Sequence, residues 1–309
     1  MRILRHAGAG KEQTAIAIGS FDGVHRGHAA ILERVKREAA ARGLTPAVLT
    51  FEPLPREFFG PERAPARLAS LAERLVLLAR EGVGIALVER FDARFAALDA
   101  AAFARRLREH YGARWITVGE DFRYGHARAG DAASLAAAGR ALGFEVEILP
   151  AVREGGERIS STRVRAALAA GDFAEAARLL GRPYDICGRV VHGEKRGRAL
   201  GFPTANVRLG RMRPPLEGVF AVKCHGVATR GLEGVASLGI NPAVRSGGPA
   251  SLEAFLFDFS GDLYGRRLSI EFVKKLRDEA HFASLDELAA QIRRDCEAAR
   301  DVFRAHETR

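Results

Sequence analysis

Between residues 14 and about 150, apolar runs of strand length alternate with segments whose apolar residues recur every three or four positions. The runs cover 14–18, 46–51, 84–88, 115–119 and 144–149, and the helical pattern covers 27–42, 68–80, 100–111 and 132–142. Glycines stop these helices at Gly43, Gly82, Gly112 and Gly143, as left-handed caps do. The alternation predicts an α/β unit, a doubly wound parallel sheet with helices on both faces. Ligands of such sheets sit outside the carboxyl ends of the strands. Short helices are expected at 162–169 and 173–180, closing at Gly181-Arg-Pro183.

After Pro183 the texture changes to short runs rich in Val, Ile and Phe, separated by Gly and Pro, at 184–192, 202–209, 218–225, 234–240, 252–259 and 268–276. This spacing predicts a small antiparallel β-barrel. A closing helix follows from Ser284, with Ser284 and Glu287 spaced as a capping box. The expected domains are therefore 1–183 and 184–309.

The chain has 309 residues and is 47% hydrophobic, enough for two cores. Its formal charge of +10 is carried largely by arginines scattered through Ala-rich helical segments, without a basic run interleaved by aromatics. Such charge suits steering of small anions, and no nucleic-acid partner is expected. Cys187, Cys224 and Cys296 lie far apart without metal-ligand spacing, as reduced packing thiols would. With no secretory apolar core and no long apolar stretch, the expectation is a cytoplasmic protein without a membrane partner, monomeric or weakly homo-oligomeric.

The densest chemistry is Gly19-Ser-Phe-Asp-Gly-Val-His-Arg-Gly-His28, a glycine-rich turn between a strand and a helix. Such a junction aims backbone N–H groups and the positive end of a helix dipole at one place, which suits a phosphate. His25 and His28, three residues apart, add imidazole N–H donors on the same side. The His-x-Gly-His pair resembles the signature of adenylyl- and cytidylyl-transferases. A second anion cradle is Ile159-Ser-Ser-Thr-Arg-Val-Arg165, where Ser160, Ser161 and Thr162 precede the rigid cations of Arg163 and Arg165. Taken alone, Ser-Ser-Thr is also simply a good helix N-cap. No Walker sequence is present.

Together with Thr50-Phe-Glu-Pro-Leu-Pro55 and Val118-Gly-Glu-Asp-Phe-Arg-Tyr-Gly125, these motifs resemble the adenylyltransferase module of bacterial bifunctional riboflavin kinase/FAD synthetases. The resemblance implies ATP at the His pair and at the Ser-Ser-Thr segment, with FMN attacking the α-phosphorus. It places Gly19, Phe21, Asp22, Gly23, Gly27, Asp121, Ser160, Ser161, Thr162 and Arg163 at the nucleotide, with His25, His28 and Arg165 acting on the transferring phosphoryl. Arg128 is a further phosphate donor or an ordinary solvated loop arginine. Many members carry Pro-His-Pro where this chain has Leu54 between prolines.

In the second half, Gly193-Glu-Lys-Arg-Gly-Arg-Ala-Leu-Gly201 runs into Phe202-Pro-Thr-Ala-Asn206. Gly193, Gly197 and Gly201 allow close backbone approach to a polyphosphate, and Lys195 and Arg198 supply positive field; by itself such a loop is most often a solvated hairpin. Thr204 and Asn206 alternate in an extended segment and so share a face, offering oxygen to a hard cation. This stretch resembles the riboflavin kinase module, and the resemblance continues to Leu276-Arg-Asp-Glu-Ala-His-Phe282. It implies Mg²⁺ at Thr204 and Asn206, Glu253 as the carboxylate that takes the proton of the substrate alcohol, and Arg277 at the flavin, whose ordinary alternative is a salt bridge with a neighbouring acid. The family usually has His where this chain has Phe255, and Thr where it has Ala243. The implied substrates and products are riboflavin, FMN, FAD and ATP. Two other functions stay open: an adenylyltransferase with an impaired kinase site, and a flavin-sensing nucleic-acid binder.

Overall fold

The computed structural model describes residues 1–5, 9–10, 12–193, 201–210, 213–239 and 250–307. It divides into two compact units, one of Met1–Pro65 and Leu71–Ser160, the other of Ala66–Ser70 and Ser161–Arg309.

The first unit is built on six strands: β1 (Arg2–Arg5), β2 (Thr14–Ile18), β3 (Thr45–Glu52), β4 (Ile85–Arg90), β5 (Ala113–Gly119) and β6 (Glu145–Leu149). They pair in the order β1-β4-β3-β2-β5-β6, every pair parallel. Alternate residues of the central strands feed opposite cores. Ile16, Ala47 and Leu49 pack with Phe103, Leu107 and Leu135, while Ala15, Ala17 and Val48 pack with Leu32, Val35 and Leu78. Both faces of the sheet are therefore covered by helices, as the alternation predicts. The four helix-stopping glycines are all left-handed, Gly43 at φ 65°, Gly82 at 79°, Gly112 at 67° and Gly143 at 79°. Strand β1 was not expected. Its Arg-Ile-Leu-Arg lies mostly exposed at the sheet edge, so it carries almost no apolar periodicity.

The second unit is a closed antiparallel barrel of β7 (Asp185–Val191), β8 (Ala205–Arg208), β9 (Gly218–His225), β10 (Leu232–Gly239), β11 (Ser251–Leu256) and β12 (Arg267–Arg277). The order is β7-β8-β11-β10-β9-β12. Helices at Ser161–Ala169 and Phe173–Leu180 belong to this unit by packing. Phe173 meets Phe220 edge to face and stacks on Phe272, so apolar burial ties the helical pair to the barrel. The last helix, Leu285–Glu307, packs Cys296, Ala299 and Phe303 over the outer face of the barrel at Val219, Ala221 and Val235.

The three cysteines are free thiols. Burial pushes Cys224 and Cys296 each up to about 11, so neither is a nucleophile near neutral pH. Among the described residues no helix is long and apolar enough to cross a membrane.

Phe220 is completely buried and meets both Phe173 and Phe272. We expect Phe220→Ala to lower the unfolding free energy by about 3–5 kcal/mol, measured from the urea midpoint. An unchanged midpoint would mean that the barrel does not depend on this ring.

Candidate functional site

Strand β2 lies between β3 and β5, and the chain leaves β2 for β3 on one side and reaches β5 on the other. That reversal is the switch point where an open α/β sheet forms its ligand crevice. The turn after β2 fills it. Gly23 has φ 82°, but Phe21 (φ 48°) and Val24 (φ 41°) are also left-handed, which costs a side chain energy and marks a constrained turn. Phe21, Asp22 and Val24 are buried. The following helix, Arg26–Arg42, is capped by His25, whose Nδ1 accepts the backbone N–H of His28 at 3.2 Å. That acceptor role leaves the His25 proton on Nε2 as a donor. The two imidazoles stack with centroids 3.7 Å apart and planes 11° from parallel, and Phe21 leans on His28 at 5.0 Å.

Space beside two of the glycines is tight. A Cβ on Gly27 would lie 3.1 Å from the His25 ring and 3.4 Å from the Ile159 carbonyl oxygen, and one on Gly19 would lie 3.2 Å from the Phe21 ring. His28 Nδ1 is buried with no hydrogen-bond partner. Burial, then the neighbouring His25 and Arg158, hold the His28 imidazole well below its usual range. The site thus presents a neutral ring, a hydrogen-bond donor or acceptor rather than a cation.

Neighbouring loops brace the turn. Arg74, almost fully buried, donates from Nη1 to the Ser20 carbonyl (2.7 Å) and from Nη2 to the Phe51 carbonyl (3.1 Å) and Glu52 Oε2 (3.0 Å). Asp121 and Arg158 form a bidentate pair at 2.9 and 3.2 Å, which lowers the Asp121 pKa chiefly through the arginine hydrogen bond. Arg128 is exposed and left-handed (φ 60°), and it lines a cavity of about 920 Å³. Phe51, Phe58, Phe91, Phe95, Phe122 and Tyr124 supply the aromatic wall of that cavity, and Arg56, Arg63 and Arg123 join Arg128 in its lining. Its residues are spread from 51 to 128 over several loops.

Within the second unit, Arg163 pairs with Glu175 at 2.7 Å and Arg165 Nε donates to the Ala66 carbonyl at 2.5 Å. Ser161 and Thr162 open the helix Ser161–Ala169, and Ser160 lies just before it. On the outer face of the barrel, Asn206 and Glu253 are register partners on β8 and β11, and Glu253 also faces Ser237 on β10. Thr204 Oγ1 donates to Glu253 Oε2 at 3.2 Å. A Cβ on Gly193 would lie 2.4 Å from the Asn206 amide, so only glycine brings the chain against that side chain. Gly201 is left-handed at φ 84°. Arg277 binds Asp295 through Nε and Nη2 at 2.8–3.1 Å, the salt bridge that its sequence context left open, and its guanidinium lies 5.7 Å over the Phe282 ring. Lys195, Gly197, Arg198 and Ala243 lie outside the described residues.

Two family models match the chain in order, FAD synthetase over residues 8–163 and Riboflavin kinase over residues 180–303. A bifunctional riboflavin kinase/FMN adenylyltransferase of Escherichia coli (strain K12) is 48% identical over 296 residues, covering 96% of this chain and 94% of that protein. One from Pseudomonas fluorescens is 50% identical over 284 residues, covering 92% and 91%. The chain belongs to the bifunctional riboflavin kinase/FMN adenylyltransferase family. A crystal structure described as a macrolide-efflux protein from Streptococcus pneumoniae superposes with a TM-score of 0.77 at 30% identity, covering 97% of this chain and 99% of that one.

The departures from the family pattern are packed. Leu54 is buried. Phe255 meets Phe202 at 5.4 Å and Phe257 at 6.0 Å, two residues from Glu253 on the same strand face. Arg74, the aromatic cavity and Glu279, which accepts from Ser237 Oγ at 2.8 Å, carry no sequence signal that pattern reading detects.

The low His28 pKa gives a pH test. The unfolded chain takes up a proton at His28 near pH 6.5, which the folded chain resists, so this residue makes stability fall as pH drops through that region. His28→Gln should flatten the loss between pH 7.5 and 5.5 in urea titrations; an identical pH slope in both proteins would contradict the neutral, buried ring.

Proposed function

We propose that the barrel unit phosphorylates riboflavin to FMN and that the α/β unit then adenylylates FMN to FAD, each step using ATP. Both family matches and full-length relatives of that description support this order of modules. The observation that carries the assignment is that each unit holds a polar cluster suited to a phosphate: the stacked His25–His28 pair at a helix head, and Thr204, Asn206 and Glu253 on one barrel face. We assign residues 1–183 to the adenylyltransferase and 184–309 to the kinase. Ser160, Ser161, Thr162, Arg163 and Arg165 are assigned to adenylyl transfer.

In the kinase, the ribityl primary alcohol is a poor nucleophile. Glu253 orients the hydroxyl and takes its proton while oxygen bonds to the γ-phosphorus and the bridge to ADP breaks. Thr204, whose hydroxyl donates to Glu253, keeps lone pairs for a cation. Thr204 and Asn206 are hard oxygen donors and fit Mg²⁺, which neutralises polyphosphate charge when bound. Arg277 meets the flavin while Asp295 fixes its guanidinium.

In the adenylyltransferase, the FMN phosphate is ionised at neutral pH and needs no general base. Its oxygen bonds to the α-phosphorus of ATP as the bond to pyrophosphate breaks. Catalysis then rests on positioning and on donors for the developing charge. The head of helix 26–42, His25 Nε2–H and His28 supply them, with Gly19, Gly23 and Gly27 clearing space. The aromatic cavity suits the isoalloxazine ring by stacking, with Arg123 and Arg128 for the FMN phosphate. The ATP demand of both steps supports the cytoplasmic location.

Two variants separate the sites. Glu253→Gln should lower FMN formation from riboflavin by about 10²–10⁴-fold and leave conversion of added FMN to FAD at the wild-type rate. His28→Ala should do the reverse, stopping at FMN with a fall of about 10²–10³-fold in the second step. Chromatography of the flavin products reads both. Loss of both activities in a folded single variant, or wild-type rates in either, would overturn the assignment.

A further inference from the structure

A second large concavity of the α/β unit opens at the wrong edge of the sheet to serve the proposed chemistry. It has a volume of about 670 Å³ and is lined by Gln13, Leu44, Arg42, Arg114, Arg140 and Glu145 among others. Gln13 and Leu44 precede β2 and β3, and Arg114 and Glu145 stand at the starts of β5 and β6. The nucleotide turn follows the other end of β2. In a parallel sheet these are opposite edges, separated by the length of β2, roughly 15 Å.

The charges there do not balance locally. Glu145 is the one acid in the lining, and Arg42 already takes it in a bidentate pair at 2.9 and 2.8 Å while also meeting Glu38. Arg140 has no ion pair among the described residues, and neither does Arg114. Arg114 Nη1 is buried without a hydrogen-bond partner. Arg108 is turned to the Leu142 carbonyl at 3.1 Å. Partial burial, then the charge of Arg108, lowers the Arg114 pKa, as desolvation and a like charge both do to a cation. The helix dipole accounts for Arg42 and Arg140 near the ends of their helices, but not for Arg114, which is on a strand. Gly43 and Gly143 close those helices by donating to Ala39 and Gly139.

An unpartnered guanidinium in an open cavity with a second free cation is the donor set for a polyanion. We propose that this groove is a binding site for a small polyanion of the phosphate class, an inorganic polyphosphate or the phosphate chain of a nucleotide, separate from both reaction centres. Arg114 and Arg140 are its principal donors.

Calorimetric titration of the full-length protein with tripolyphosphate at low ionic strength tests this. The groove component should persist in His28→Ala, weaken about tenfold or more in Arg140→Glu, the equivalent of losing one charge-assisted contact, and vanish in Arg114→Gln. Arg140 is exposed, so its charge reversal does not threaten folding, and both groove variants should keep wild-type turnover. Repeating the titration with ADP separates the sources: a groove component with both ligands identifies the phosphate chain of a nucleotide, and one with tripolyphosphate alone identifies inorganic polyphosphate. Indistinguishable isotherms for wild type and Arg140→Glu, or a component lost in His28→Ala, would overturn the proposal.

Discussion

Two imidazoles stacked 3.7 Å apart cannot both be cations, because the repulsion between them is too large in a site screened from water. The head of the α/β unit is organised by that constraint. His25 spends one ring nitrogen on capping the helix, which fixes its tautomer, and His28 is held neutral against it. A Cβ on Gly27 would press on the His25 ring at 3.1 Å. Phe21 and Val24 adopt left-handed backbone to bring the chain around to the stack. Arg74, reaching from a helix on the next connection, holds the turn to the end of β3. The outcome is a helix head at which backbone N–H groups and a neutral His28 ring stand together.

The barrel solves a different problem. Its interior is filled by residues such as Phe220, Ala236, Ala254 and Ile270, so chemistry is confined to the outer face, where strand alternation puts Asn206, Glu253 and Ser237 side by side. Phe255 occupies the next outward position and joins an aromatic cluster with Phe202 and Phe257. The ring that replaces a histidine there is thus accommodated by packing, and the Thr204–Glu253 contact remains. This favours a working kinase over an adenylyltransferase with a silenced barrel.

Periodicity revealed the parallel sheet, the barrel and the glycine stops, because burial on two faces or one leaves period-specific marks in the chain. It missed β1, whose edge position removes the need for apolar residues. Local motifs revealed the His pair and the Thr204–Asn206 segment, where neighbours in sequence are neighbours in space. The aromatic cavity escaped because its wall is drawn from residues 51 to 128, none of which forms a motif alone. Arg74 escaped for a related reason: a buried arginine in an amphipathic helix looks like a surface one until the carbonyls it satisfies are known. Arg163, Arg165 and Arg277 were legible as cations, but the partners that hold them, Glu175, the Ala66 carbonyl and Asp295, come from folding.

One chain carries riboflavin to FAD through FMN. The most direct measurement is a time course of flavin products from the purified wild-type protein with riboflavin, ATP and Mg²⁺, beside a reaction started from FMN. FMN appearing first and FAD following it, with FAD alone from the second reaction, is the predicted result. FAD from FMN without any FMN from riboflavin would contradict the bifunctional account.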